Sequence, residues 1–265
     1  MILIGERING MFGDVREAIL SRDPEPVRRW AMRQYQRRAD YLDISTGPSL
    51  EAGDQPGAME WLVRTAQDTV DLPCCLDSTN PEAILAGLEA HRGKALINST
   101  TADQWKIDLF LPMALKYGAA LIGLAMNEKG VPKSAGDRAA LAMEIIVNAD
   151  ACGFPLEDLY LDPLDLPCNV GQEHCPEVIE AIRWIKTLAD PPPRTALGLS
   201  NVSQRCADRQ LLNRTFLVMC MAAGLDAAII NLDDDELLKA VAASNVLLNR
   251  EIYCDSFVMT FKNRD

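Results

Sequence analysis

The stretch KALINSTTADQWKIDLFLPMALKYGAALIGLAM, Lys94 to Met126, holds two short apolar runs separated by a helical segment. The first run is residues 94–99 and the second is residues 119–126. Neither shows the apolar-polar alternation of a half-exposed strand, so both read as strands covered on two faces. Between them, Ile107, Phe110, Leu111 and Ala114 recur at helical spacing, and Gly118 sits where a helix would stop before the next strand. Two strands joined by a helix run parallel, because an antiparallel pair needs only a tight turn.

The same unit recurs along the chain. Apolar runs bounded by turn residues fall at 2–6 (ILIGE), 41–45 (YLDIS), 73–78 (PCCLDS), 94–99, 119–126, 159–163 (LYLDP), 195–200 (TALGLS) and 227–232 (AAIINL). Helical spacing fills 26–39, 57–70, 81–91, 103–117, 137–152, 175–188, 208–223 and 234–249. Asn80-Pro81-Glu82 reads as a cap followed by proline in the first turn, and Gly153 and Gly224 end helices as Gly118 does. Eight strand-then-helix units in 265 residues predict a (β/α)8 TIM barrel, formed as a single domain over residues 1–265. An open doubly wound sheet is the competing architecture, but no G-x-G-x-x-G follows the first strand.

Composition narrows the function classes. Hydrophobic residues make up 48% of the chain, enough for a substantial core. A net charge of −12, from 38 acidic and 26 basic residues, argues against a non-specific nucleic-acid surface. No run of about 18 apolar residues occurs, and MILIGERING lacks the basic and apolar regions of a secretory leader, so a cytoplasmic protein without membrane contact is expected. Cysteines 74, 75, 152, 168, 175, 206, 220 and 254 form no C-x-x-C pair, and only His91 and His174 offer imidazole. Reduced cysteines and no bound metal are therefore expected; His174-Cys175 has a spacing unlike known zinc patterns.

In a barrel of this kind the active site is built from the C-terminal ends of the strands. Those positions carry Glu6 and Asn9, Asp43, Asp77, Asn98, Asn127, Asp162, Ser200 with Asn201, and Asn231. Asp and Asn also form turns and helix caps, a reading that suits Asn80, Asn127 and Asn231. Asp77, Asn98 and Asp162 lie within their apolar runs instead, where a carboxylate or amide projects into the mouth and requires partners. Two carboxylates and an amide match the hydrogen-bonding edge of an aminopyrimidine. The set has no Ser-His-Asp arrangement, no cysteine or lysine beside an activating group, and no metal ligands at known spacing.

IGERINGMFGD (4–14), LDSTN (76–80), LINST (96–100), LDPL (161–164), LGLSNVS (197–203), NRTF (213–216), GLDAAI (224–229) and YCDSF (253–257) together resemble the methyltetrahydrofolate:corrinoid/iron–sulfur protein methyltransferases. The likeness runs over residues 1–263 and touches all eight strands. It implies a pterin-binding barrel, commonly a homodimer without a metal of its own, acting on a protein-borne corrinoid (cobalamin) and on tetrahydrofolate or 5-methyltetrahydrofolate. Close relatives run the transfer in reverse for corrinoid-dependent demethylases. By matching motif, Asp77, Asn98 and Asp162 would bind the pterin ring, Gly198, Ser200, Gln204 and Arg209 would line the same mouth, and Asn201 would face N5. Glu6 and Asp43 would stand behind them. Strand eight departs from the family pattern at Asn231, and Cys168 lies in a loop expected to touch the partner.

The implied chemistry gives Asn201 a purpose. Cobalt(I) attacks the methyl carbon and N5 must leave, which a tertiary amine does poorly without a proton or a strong hydrogen bond. An ordinary carboxyl is ionised near neutral pH and cannot donate, whereas an amide donates without titrating. Asn201 would thus stabilise the leaving N5, with Asp162 and water relaying the proton; the competing assignment makes Asn201 a helix cap after strand seven. Dihydropteroate synthase is a second candidate class, but its lysine after strand seven and Arg-x-His after strand eight are replaced here by SNVSQR and INLDDD. A corrinoid carrier would need a D-x-H-x-x-G motif, which is absent.

Overall fold

The computed structural model describes residues 1–253. Its strands are β1 (Ile2–Asn9), β2 (Tyr41–Ser45), β3 (Cys74–Asp77), β4 (Leu96–Thr101), β5 (Ala120–Leu124), β6 (Leu159–Asp162), β7 (Arg194–Thr195) and β8 (Ala227–Ile230). The helices are α1 (Gly13–Ser21), α2 (Glu25–Gln36), α3 (Gln55–Gln67), α4 (Pro81–Ala90), α5 (Gln104–Tyr117), α6 (Ala135–Ala151), α7 (Cys168–Gly171), α8 (His174–Ile185), α9 (Arg209–Ala223) and α10 (Asp235–Leu247). The strands form one parallel sheet in the order β7-β6-β5-β4-β3-β2-β1-β8. A parallel bridge between Gly198 and Ile229, with the Ile229 N–H donating to the Leu197 carbonyl at 2.9 Å, draws the two edges together into a barrel.

Two cores follow from the strand period of two. Side chains pointing outward, such as Leu42, Ile44, Leu76, Ile97, Leu121 and Leu161, are buried against the helix ring. Those pointing inward, including Ile4, Cys75, Leu96, Ile122, Tyr160 and Ala196, fill the barrel interior. Packing on both faces is why these strands show no alternation in sequence. The expected caps are present: the Asn80 side chain accepts from the Glu82 N–H, Ser134 from Asp137, and Gly118 and Gly224 close α5 and α9 in the left-handed region.

Three local differences from the sequence reading have physical causes. The TALGLS run expected as strand seven pairs only over Arg194–Thr195, and Leu199–Asn201 coils into a 3-10 turn. That turn is held by Arg209, which donates to the Ser200 carbonyl, and by Asp165, which accepts from the Val202 N–H at 2.7 Å. The cap of α9 is Asp208 rather than Asn201. Helix α1, absent from the sequence reading, buries Val15, Ala18 and Ile19 at helical spacing within only nine residues. Cys254 and the remainder of the YCDSF motif lie outside the described residues.

Candidate active site

The inward face of the barrel changes character along its axis. Ile4 is followed two residues later by Glu6, Tyr41 by Asp43 and Ser45, Cys75 by Asp77, Leu96 by Asn98, and Tyr160 by Asp162. The period of two therefore stacks an apolar plug below and a layer of polar groups above it, at the C-terminal mouth. Register brings neighbours into line: Ser45 pairs with Asp77, and Asp77 with Asn98.

On the β1–β4 side the mouth is acidic. Burial, and then the Asp77 charge, push the Asp43 carboxyl well above the usual carboxylate range, while the Cys75 thiol and the Asn98 amide pull it part of the way back. The Asn98 Nδ2 donates to Asp43 Oδ1 at 3.4 Å. Asp77 is raised by burial and relieved only by the Ser45 hydroxyl. Glu6 is also raised by burial; the Ser200 hydroxyl, which donates to it at 2.7 Å, and the charges of Arg209 and Arg7 oppose that rise.

On the β6–β7 side the carboxylates are held by the protein. Burial pushes Asp162 up to about 7 against the N–H groups of Leu164 and Gly198 and the charge of Arg138. Its Oδ1 accepts from the Leu164 N–H at 2.7 Å. Asp165, only 4% exposed, is driven well above its ordinary range by burial and by Asp162; the Val202 N–H and the Asn201 side chain counter this. Asn201 thus hangs its amide between Asp165 and Gly198, where a Cβ added to Gly198 would stand 3.1 Å from Asn201 Nδ2.

The structure brings Glu6, Asp43, Asp77, Asn98, Asp162, Gly198, Ser200 and Asn201 to the same end of the barrel. Arg209 braces the turn from outside: its Nε donates to the Ser203 hydroxyl at 3.2 Å. Gln204 is exposed, on the same turn. Asn127 and Asn231 are turn residues, their side chains accepting from the N–H groups of Lys129 and Asp233. Cys168 lies 3.6 Å, sulfur to sulfur, from Cys206, and the cysteines described are thiols.

Sequence reasoning missed Asp165 and Arg138. Asp165 was visible as the second acid of LDPLD. Arg138 falls on the buried stripe of α6 with Ala135, Ala139, Ala142 and Ile145, so a charge at a core position was the available signal. Among the described residues no group of three or more His, Cys, Asp or Glu could hold a metal ion, and no helix is long and apolar enough to cross a membrane.

Fold and mouth together define a parallel barrel whose C-terminal mouth is lined by hydrogen-bond acceptors. Residues 14–231 match the family model of pterin binding enzymes, and the chain belongs to that family. It is 25% identical over 264 residues to a methylcorrinoid:tetrahydrofolate methyltransferase of Eubacterium limosum, covering 99% of this chain and 96% of that one. A methionine synthase of Mycobacterium tuberculosis is 31% identical over 245 residues, covering 87% of this chain but 20% of that longer protein. Similar solved structures include a Yersinia pestis dihydropteroate synthase with a pterine-sulfa conjugate, with a TM-score of 0.72 at 16% identity, covering 94% of each chain. Another is the Xanthomonas albilineans dihydropteroate synthase in complex with 7,8-dihydropteroate, with a TM-score of 0.68 at 14% identity, covering 93% of this chain and 92% of that one. At such identities these two speak for the fold alone.

Proposed function

We propose that the protein moves a methyl group between N5 of tetrahydrofolate and the cobalt of a corrinoid carried by a partner protein. The observation that carries this reading is the convergence of Asp77, Asn98 and Asp162 at one barrel mouth with the Asn201 amide beside them, in a chain whose full length matches a methylcorrinoid:tetrahydrofolate methyltransferase. The three acceptors take the N–H edge of the pterin, and N5 lies toward Asn201. As the cobalt–carbon bond forms and the carbon–N5 bond breaks, N5 keeps the electron pair and takes a proton. Asn201 donates a hydrogen bond to N5 as that pair develops. Asp162, poised near neutrality, holds or releases the proton through water.

The same groups serve both directions. The name of the Eubacterium limosum relative makes the methylcorrinoid the donor, which favours transfer to tetrahydrofolate over methylation of a corrinoid iron–sulfur protein. A homodimer in the cytoplasm, with no resident metal, completes the reading. Its test is anaerobic transfer between methyltetrahydrofolate and free cob(I)alamin, followed by the change in corrinoid absorbance. Transfer proportional to enzyme is expected, from protein that purifies colourless and keeps its activity after dialysis against a chelator. No transfer at any enzyme concentration would end the proposal.

A further inference from the structure

Arg138 is 0% exposed, and among the described residues no carboxylate lies within salt-bridge distance of its nitrogens. Its guanidinium is spent on backbone and imidazole instead. Nε donates to the Pro132 carbonyl at 3.1 Å, Nη1 to the carbonyls of both Pro163 and Leu164, and Nη2 to His174 Nδ1 at 2.8 Å. Arginine can only donate, so Nδ1 of His174 is the acceptor and its ring proton sits on Nε2. Gly171 packs against that ring: a Cβ there would stand 2.8 Å from His174 Cδ2.

The two carbonyls gripped by Nη1 belong to the turn that follows Asp162. Leu164 has φ 63, a left-handed conformation that is unfavourable for a branched side chain. Its N–H binds Asp162 Oδ1, and the next residue is Asp165, which holds Asn201. A buried cation that grips a strained turn between two buried acids does more than fill space, since replacing buried charges by apolar groups is often neutral or stabilising for folding alone.

We infer that Arg138 is a positioning residue for methyl transfer: by clamping the Pro163-Leu164 turn it sets where the Asp162 carboxyl stands. The inference rests on the proposed reaction for its functional part. The groups that act on Asp162 are Arg138 from α6 and the N–H groups of Leu164 and Gly198, while Asp162 in turn raises Asp165 of the same loop and Cys220 of α9. Glu177 of α8 and Cys175 act on Arg138. The guanidinium is the one cation among these groups, and it favours the ionised carboxylate.

The test titrates Asp162 by carboxyl carbon NMR in the unliganded protein and measures methyltetrahydrofolate affinity against pH, in wild type, Arg138→Met and Arg138→Gln. Removing the charge and the clamp should raise the Asp162 midpoint. The midpoint of the affinity profile should move the same way. Arg138→Gln keeps a donor for the carbonyls, so its fold is the better protected of the two. Folded variants with the wild-type Asp162 midpoint would overturn the inference, as would failure of both variants to fold, which would make the arginine purely structural. If wild type binds no folate, the proposed function fails, while the titration still decides the role of Arg138.

Discussion

The two halves of the barrel mouth carry carboxyls that burial raises alike, but different groups support them. On the β1–β4 side, burial raises both Asp43 and Asp77, the Asp77 charge raises Asp43 further, and hydroxyl, thiol and amide groups are what oppose that. On the β6–β7 side, Asp162 and Asp165 are embraced by backbone N–H groups, the Asn201 amide and the charge of Arg138. On the first half the donors are the side chains of Ser45, Cys75 and Asn98, and in the proposed function a ligand adds to them. The second is held by backbone N–H groups and a buried cation, fixed partners of the kind that preorganise a catalytic group. One side therefore suits binding and the other suits chemistry.

Replacing Asn201 attacks the preorganised side and should have the largest effect. Asn201→Ala is expected to lower the methyl-transfer rate by about 10²- to 10³-fold, the loss of one preorganised donor, with folate affinity changed far less. Asn201→Asp donates only when protonated, so its residual rate should rise as pH falls. A near-normal, pH-independent rate for that variant would erase the distinction between the halves.

On the binding side, Asp77→Ala should weaken folate binding by about 1.5–3 kcal/mol, the range for a charge-assisted hydrogen bond. Titration calorimetry reads this directly, and unchanged affinity would place the pterin elsewhere. A subtler probe is Gly198→Ala, whose Cβ would press on Asn201 Nδ2 at 3.1 Å. Displacing the amide by a few tenths of an ångström should cost about tenfold in rate. A larger loss of affinity than of rate would put Gly198 on the binding side.

The smallest effect concerns stability. A carboxyl whose folded pKa lies above its unfolded value holds an extra proton in the native state, so stability declines as pH rises from about 4 and levels off beyond the raised folded value. Asp43 is such a group. Asp43→Asn should therefore gain stability relative to wild type as pH rises, measured by urea unfolding at about pH 5 and about pH 8. A gain that shrinks with pH would show that Asp43 is better supported than its neighbours suggest.

Much of this contrast was readable in one dimension. The strands carrying Asp43, Asp77, Asn98 and Asp162 were found at or within a residue or two of their observed bounds, because an apolar run with a polar end is a local signal. Asp165 was not singled out, because an acid in a Pro-rich loop has the same sequence signature whether it faces solvent or a buried amide. Arg138 was overlooked because three of its four partners lie 25, 26 and 36 residues away, beyond any periodic pattern.

By itself, the sequence determined the repeating strand-helix unit, the apolar floor and polar rim of the barrel, and the helix stops at Gly118 and Gly224. These depend on hydrophobic period and on backbone freedom at single residues. Only the tertiary structure decided that β7 breaks early into the turn carrying Asn201, that Ser200 reaches Glu6 across 194 residues of chain, and that a buried arginine governs the turn after Asp162. The physical reason is range: periodicity and capping act over a few residues, whereas burial, charge and hydrogen bonding between strand ends exist only once the barrel has closed.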